Sequence, residues 1–474
     1  MKNPKRQVLF LWTILCSVLP LWSHAEEICP SRKKAANRPN IILIMADDLG
    51  WKDLHCYGNS MVDTPAIDRL AKSGMRFTDA YSASPVCTPT RAALMTGLSP
   101  ARLQITNHAG GHPPGFRLPE SDLESAAWTR HLPLAEVTLA EHLKQAGYAT
   151  GFFGKWHLSH RPRGAGEPSE PNLRPQHQGF DVNVGGCDFG GPPSYFSPYK
   201  NPELEDDGNP YLPDLLAEAC VTFIRDHQSE PFFVCWWNYS VHYPFQAPDS
   251  LIKKYEQRQK AEDTSLKNPT YAAMIEGMDR SVGHLMKAVS AMGLDDNTLV
   301  IFTSDNGPFA ADVRPLRAEK GHLYEGGIRV PLIVRWPGVT KPETICKTPV
   351  ITMDLFQTIY EAARLPAASI SSDGLNIKPL LDQPNNWPER ALFFHYPNYA
   401  FHKKNRLGSA MREGDYKLVY FYDDEKSELY NLSDDISEAI DLSQSEPERT
   451  LRMENQLKAW LNKTGANRPV RKSQ

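Results

Sequence analysis

Apolar runs without the polar alternation of a half-exposed strand lie at 41–45, 232–237, 299–303 and 330–336, and polar turn residues bound each run. A strand with one wet face alternates apolar and polar positions, whereas a strand covered on both faces reads as a continuous apolar run. Between the runs lie stretches of helical period with readable ends. Thr64 and Pro65 open one that Gly74 closes, and Thr138 with Glu141 opens another that Gly147 closes. Longer helices are predicted at 213–227, 271–292 and 353–365. The alternation predicts an α/β fold, a large and mostly parallel sheet flanked by helices.

Beyond residue 381 the pattern changes. Gln383, Pro384, Asn385, Asn386, Trp387 and Pro388 read as a linker. Short strands follow at 391–396, 416–422 and 428–431, then an amphipathic helix at 446–461 and a frayed tail at 468–474. The expected organisation is an α/β domain over 38–382 and a smaller antiparallel α+β subdomain, packed by a helix, over 383–474.

Composition adds limits. A chain of 474 residues, 41% hydrophobic and 23% charged, is too apolar for disorder and long enough for a large domain with a lesser companion. Basic residues number 52 against 56 acids, so no extended basic face for nucleic acid is expected, and an anionic substrate has to be held by a local cluster. Lys2, Lys5 and Arg6 precede an apolar run over 8–22 and then Ser23, His24 and Ala25, which predicts a signal peptide over 1–25. The run is shorter than the ~20 residues of a spanning helix. The mature chain is therefore expected to be exported without a membrane span, to a periplasm or the exterior, or to a lysosome in a eukaryote.

Thiols in such compartments tend to be oxidised. Of eight cysteines, Cys16 leaves with the leader, and the odd remainder sets one thiol apart. Cys29, Cys56, Cys187, Cys220, Cys235 and Cys346 are expected to pair or stay buried, Cys235 in the core. Cys87 is the exception. It opens a predicted helix that Gly97 ends, at the positive pole, where a thiol is expected to have a lowered pKa, with Arg91 one turn on.

Two apolar strands run into paired oxygen donors: Asp47 and Asp48 follow one, and Asp305 and Asn306 the other. Ligands of open α/β sheets bind beyond the carboxyl ends of the strands, so neighbouring strands would bring the four together. Three carboxylates and an amide suit a hard cation such as calcium or magnesium.

Cys87, Thr88, Pro89, Thr90 and Arg91 match the C-x-P-x-R signature of the type I sulfatases of the alkaline-phosphatase superfamily, extended by Leu94, Thr96 and Gly97. The resemblance continues at Gly154 to Leu158, Ser240 to Pro244, Ser304 to Gly307, Lys320 with Gly321, Tyr324 to Gly327, and Glu428 to Leu432. It implies that a maturation enzyme oxidises Cys87 to Cα-formylglycine, whose hydrate attacks sulfur. It also implies one calcium ion on Asp47, Asp48, Asp305 and Asn306. Arg91 and Lys155 would hold the hydrate and offset negative charge, and His157 would take a hydroxyl proton. His242 and Lys320 would lie at the sulfate and bridging oxygen, with His242 protonating the leaving alcohol. Thr90 stands where the family commonly has serine, and Ser159 where glycine is common. His55, His108, His112, His160 and His177 match no motif and are expected at the surface or the substrate rim.

The resemblance predicts a sulfuric ester hydrolase acting on sulfated carbohydrates. Two alternatives stand beside it: a phosphonate monoester or phosphodiester hydrolase of the same superfamily, and a non-catalytic receptor for sulfated glycans. The segments 108–117, 161–178 and 396–406, rich in Gly, Pro, His, Arg and aromatic residues, are candidates for a sugar-binding rim.

Overall fold

The continuous apolar runs form adjacent strands of one sheet. The computed structural model describes residues 38–160, 171–205, 208, 211–262, 267–366, 370–382, 387–400 and 404–472. The predicted leader, residues 383–386 of the linker and 161–170 of the rim lie outside the described residues. In chain order the strands are β1 Asn40–Ala46, β2 Met75–Tyr81, β3 Leu123–Glu124, β4 Ala149–Gly154 and β5 Val182–Val184. Then come β6 Phe232–Trp237, β7 Thr298–Ser304, β8 Arg329–Arg335, β9 Thr344–Cys346 and β10 Val350–Ile351. The last are β11 Ala391–Tyr396, β12 Gly408–Glu413, β13 Tyr416–Phe421, β14 Ser427–Asn431 and β15 Val470–Arg471.

The large sheet has the order β10-β2-β8-β7-β1-β6-β4-β5, with β9 also on β2. Its strands are parallel except β8, which runs against both β2 and β7. Both faces are covered. Ile42, Ile44 and Ala46 of β1 enter a core with the helices Pro65–Lys72, Leu212–His227 and Pro269–Ala291. Ile41, Leu43 and Met45 enter a second core with the helices Cys87–Thr96, Leu139–Gln145 and Thr352–Ala362. All of these β1 side chains are fully buried, so Leu43→Ala is a cavity mutation of about 2–5 kcal/mol. The predicted capping box is present, with Thr138 Oγ1 accepting from Glu141 N–H and the Glu141 carboxylate accepting from Thr138 N–H.

Pro331 sits inside β8, although proline cannot donate to a ladder. Opposite it, β2 carries a bulge between Phe77 and Ala80, and the Tyr57 hydroxyl fills the gap, donating to Phe77 O and accepting from Leu332 N–H, both at 2.8 Å.

β11 to β14 form a separate antiparallel sheet in sequential order. One face packs Leu392, Phe394, Tyr396, Ala410 and Val419 against Tyr81, Val86, Ala93 and Ile328; the other packs Met411, Leu418 and Leu429 against Met453, Leu457 and Leu461 of the helix Pro447–Lys463. The expected frayed tail is partly a strand, because β15 pairs with β3. The described cysteines, Cys56, Cys87, Cys187, Cys220, Cys235 and Cys346, are all unpaired, and all but Cys56 are buried. Among the described residues no helix is long and apolar enough to cross a membrane.

Candidate active site

β7, β1, β6 and β4 are consecutive neighbours and parallel, so their carboxyl ends open on one edge. Backbone bonds continue past the strands and tie the following turns together. Asp305 N–H donates to Ala46 O, Asp47 N–H to Ser240 O, Val241 N–H to Asp47 O and Lys155 N–H to Trp237 O. Asp47 and Asp48 leave β1, Asp305 and Asn306 leave β7, Lys155 and His157 leave β4, and His242 follows β6. Cys87 begins its helix as expected, with Gly97 in the left-handed conformation ending it. All ten predicted site residues therefore converge.

The cluster is dry and densely charged. Asp47, Asp305, Asn306, Arg91 and Lys155 have no exposed surface. Lys155 Nζ donates to both Asp47 oxygens at 2.8 and 2.7 Å. Arg91 donates through Nε and Nη2 to Asp305 Oδ2 at 2.9 and 2.6 Å, and through Nη1 to Lys155 O at 2.7 Å. Lys320 Nζ reaches Asp48 at 2.6 Å, and His242 Nε2 lies 3.7 Å from Asp48 Oδ2. Three carboxylates thus face three fixed cations. Burial pushes Asp47 up, against the pull of Lys155. Burial is also the largest single influence on Asp48 and Asp305 and raises both, but the neighbouring cations together, led by Lys320 at Asp48 and by Arg91 at Asp305 with Lys155 beside each, hold both low.

Of the ten site residues, two keep a buried side-chain atom without a partner. Asn306 Oδ1 and His157 Nδ1 are buried with no hydrogen-bond partner. Asn306 Nδ2 donates to Asp48 Oδ1 at 2.7 Å, which turns the amide oxygen away from Asp48. An orphaned amide oxygen beside three carboxylates is the donor set of a hard divalent cation. One ligand atom each from Asp47, Asp48 and His242 lie within 4.8 Å of one another, as do those from Asp47, Cys87 and Asp305. His157 Nε2–H donates to Ala109 O at 2.8 Å, so Nδ1 presents its lone pair. Asp48 and His157 both hold left-handed backbone, φ 59° and 55°, an uncommon conformation for residues with side chains that concentrates at functional sites.

One expectation is corrected, and one further shift matters. The Cys87 thiol is not acidified by its helix, because burial pushes its pKa up more than Lys155 and Lys320 lower it. His242 does not titrate near neutrality in the free site: burial and the Lys320 ammonium push it down to about 3.

The pocket over these residues has a volume of about 360 Å³ and is lined by Asp48, Cys87, His157, His242 and Lys320 together with Gly190, Gly191, Tyr243 and Phe309. His108, Ala109 and Gly110 complete the wall, so His108 is a rim residue as expected, whereas His55 pairs with Asp68 at the surface and His177 is exposed. Both departures from the signature keep their hydroxyls at work. Thr90 Oγ1 donates to Ser84 O and accepts from Ser84 N–H, and Ser159 Oγ donates to Leu173 O. Sequence reasoning missed the supports. Thr88 Oγ1 donates to His157 O, Trp237 lies 5.1 Å beneath the Arg91 guanidinium, and Tyr195 Oη donates to Tyr239 O and His242 O. Nothing in their sequence context distinguishes them from core residues.

The sulfatase family model matches residues 39–365, and the model for the C-terminal part of N-sulphoglucosamine sulphohydrolase matches 318–467. Human arylsulfatase A is 35% identical over 422 residues, covering 81% of this chain and 75% of that protein. A protein named sulfatase from Formosa agariphila is 33% identical, covering 92% and 91%. The crystal structure of Ps i-CgsB in complex with k-i-k-neocarrahexaose superposes with a TM-score of 0.73 at 29% identity, covering 90% of this chain and 93% of that one. The fold is that of the alkaline-phosphatase superfamily. With motif, topology and relatives in agreement, the chain belongs to the sulfatase family and is a sulfuric ester hydrolase.

Proposed function

We propose that the chain removes sulfate from sulfated saccharides, using a formylglycine hydrate made from Cys87 and one calcium ion on Asp47, Asp48, Asp305 and Asn306. The observation that carries this reading is the pair of leftover atoms, Asn306 Oδ1 and His157 Nδ1, in a site whose carboxylates and cations are otherwise paired. The first suits a ligand atom for the cation and the second a proton acceptor. Bound calcium would polarise a sulfate oxygen and favour an ionised hydrate hydroxyl. The charges also balance. With calcium bound, Asp47 would be held ionised despite its burial, so three carboxylates would cancel Arg91, Lys155 and Lys320, and the two charges of calcium would be cancelled by one ionised hydroxyl and one sulfate monoester.

Cys87 itself is a poor nucleophile here, being buried with a raised pKa. The hydrate would supply two hydroxyls, one as the attacking oxygen and one to expel sulfate and restore the aldehyde. On this chain's side, His242 would give a proton to the departing alcohol oxygen as its bond to sulfur breaks, and His157 Nδ1 would accept the proton of the second hydroxyl. The anionic ester against Nε2 favours the protonated form of His242. Because Cys87 is buried, the maturation enzyme has to reach it before the fold closes, on a chain exported by the leader at 1–25. Tyr243 and Phe309, 62% and 38% exposed at the mouth, offer ring surface to a sugar.

The test compares a sulfate monoester, a phosphate diester and a phosphonate monoester of one aryl alcohol, then a panel of defined sulfated saccharides. The sulfate ester should give the highest kcat/KM, and at least one saccharide should lose sulfate. Preference for the diester or phosphonate would establish the other superfamily activity instead, and a silent saccharide panel would remove the saccharide assignment.

A further inference from the structure

The turn after β5 touches both proton-handling histidines. A Cβ built on Gly190 would stand 2.8 Å from His157 Nε2 and 2.9 Å from Cε1. One built on Gly191 would stand 2.5 Å from His242 Nδ1, 2.8 Å from Cε1 and 2.9 Å from Tyr243 O, the carbonyl that anchors that ring. Real Cβ contacts do not close below 3.0 Å, so either side chain would move a ring. Neither glycine has the positive φ that would itself call for glycine. What excludes a side chain is the neighbouring ring, joined at Gly191 by Tyr243 O. The same segment holds His157 by its backbone, whose N–H donates to Cys187 O at 3.1 Å.

We propose that Gly190 and Gly191 are positioning residues, each lacking a side chain so that one histidine ring can close against the backbone, Gly190 placing His157 and Gly191 placing His242. This rests on the roles given above to the two histidines. The rings are anchored on the side facing the turn: His157 Nε2–H donates to Ala109 O at 2.8 Å and His242 Nδ1–H to Tyr243 O at 2.6 Å. A methyl group at either glycine presses on that anchored edge. It would break the anchor and swing the opposite nitrogen, the one that handles the proton. A displacement of about 1 Å can cost on the order of 10²-fold in rate.

The two substitutions therefore have different signatures. Gly191→Ala should lower kcat/KM for a sulfated saccharide by about 10² while changing an aryl sulfate only a few-fold, because a nitrophenolate leaves with little protonation. Gly190→Ala should lower kcat for both esters to one common value and leave kcat/KM nearly unchanged, since sulfate expulsion follows departure of the alcohol and is common to both; a loss in kcat/KM that differs between the esters would overturn its role. His242→Ala on the same two esters is the reference, and Gly191→Ala should add nothing to it in the double variant. If His242→Ala discriminates between the esters and Gly191→Ala does not, the inference is overturned while the general acid survives. If His242→Ala loses both esters equally, the general acid fails and takes the assignment of Gly191 with it. Should Gly191→Ala fail to fold, the double variant with His242→Ala, which removes the ring and leaves only the 2.9 Å approach to Tyr243 O, should recover part of the lost Tm; a double variant that recovers none overturns the ring contact.

Discussion

Arg91→Met tests the charge balance at the centre of the site. Arg91 is fully buried and spends its guanidinium on Asp305, on Lys155 O and, at 3.6 Å, on Asp47. Methionine fills much of the space and carries no charge, so three carboxylates face two cations. Breaking one side of a buried pair typically costs about 3–5 kcal/mol. A unit pair at about 4 Å in an effective dielectric of about 20 is worth ~4 kcal/mol, which agrees. The same change makes the empty site more negative, so calcium should bind more tightly to the variant. A ligand at 100 times its Kd stabilises by about 2.7 kcal/mol, enough to recover much of the loss. The assay is thermal unfolding of the unmodified Cys87 protein in chelator and in calcium, with calorimetric titration of the ion. Arg91→Met should melt well below wild type in chelator, the gap should narrow in calcium, and Kd should fall. Arg91→Lys, which keeps the charge and loses the fork, should lie between. An unchanged gap with an unchanged or weaker Kd would refute a calcium site balanced by Arg91.

Mass spectrometry of the peptide carrying Cys87, from protein made with a maturation enzyme, should show a loss of ~18 Da, the change from thiol to aldehyde; full activity without that change would end the hydrate mechanism. His242→Ala should cost roughly 10² to 10⁴ on a sugar sulfate and far less on an aryl sulfate, and equal losses would pass the proton to Lys320. Burial and the neighbouring Glu325 raise Glu438 from 4.5 to about 7, against the pull of Lys417. The folded state then holds a proton that the unfolded chain releases, so its contribution is present below about 4.5 and is lost as pH rises through 7, on the order of 3 kcal/mol. Glu438→Gln should flatten the dependence of Tm on pH across that window, and an unchanged profile would show that another group sets it.

The central strands were legible because β1, β6 and β7 are covered on both faces, so their middles are apolar throughout and polar residues stand only at the ends, as Asn40, Thr298, Thr303 and Ser304 do. β2 escaped notice because Arg76, Thr78 and Asp79 interrupt it; Arg76 extends over the Tyr57 ring and Asp79 pairs with Arg329 and Arg412. β12 was hidden for a related reason. Its Gly408, Ser409 and Arg412 are buried by partners from other segments, so burial there does not require an apolar residue. The reversed direction of β8 is set by which strands it joins, and an apolar run carries no sign of direction. Site residues were readable wherever a short motif brings several of them together, as Cys87 with Arg91 or Lys155 with His157. Their orientation was not. The ring positions of His157 and His242 depend on Ala109, Gly190 and Gly191, which are remote in sequence and chemically featureless.

We propose that the stretch 383–474 is required by the catalytic part and is no detachable appendage. The reason lies beside Lys320. Gly321 N–H donates to Pro85 O at 2.9 Å, and Asn405 Nδ2 donates to Gly321 O at 3.3 Å, so the turn presenting Lys320 is held between the approach to Cys87 and the C-terminal part. Four residues on, Glu325 is fully buried and bonded to Lys417 Nζ at 2.9 Å, and Lys417 also meets Glu438 at 2.8 Å. A chain ended at Asp382 would lose Lys417, leave Glu325 to Arg329 alone among those cations, and expose the face of Val86 and Ala93 that the small sheet covers. Losing the buried partner costs about 3–5 kcal/mol before the apolar area is counted, which is comparable to the whole stability of many domains. Residues 38–382, which keep Cys87 and all four predicted calcium ligands, should therefore fail to melt cooperatively, and calcium should not raise their Tm. Adding 383–474 as a separate chain should restore part of both. A truncated chain that melts cooperatively and gains stability from calcium as the full chain does would show that the site stands on the large sheet alone.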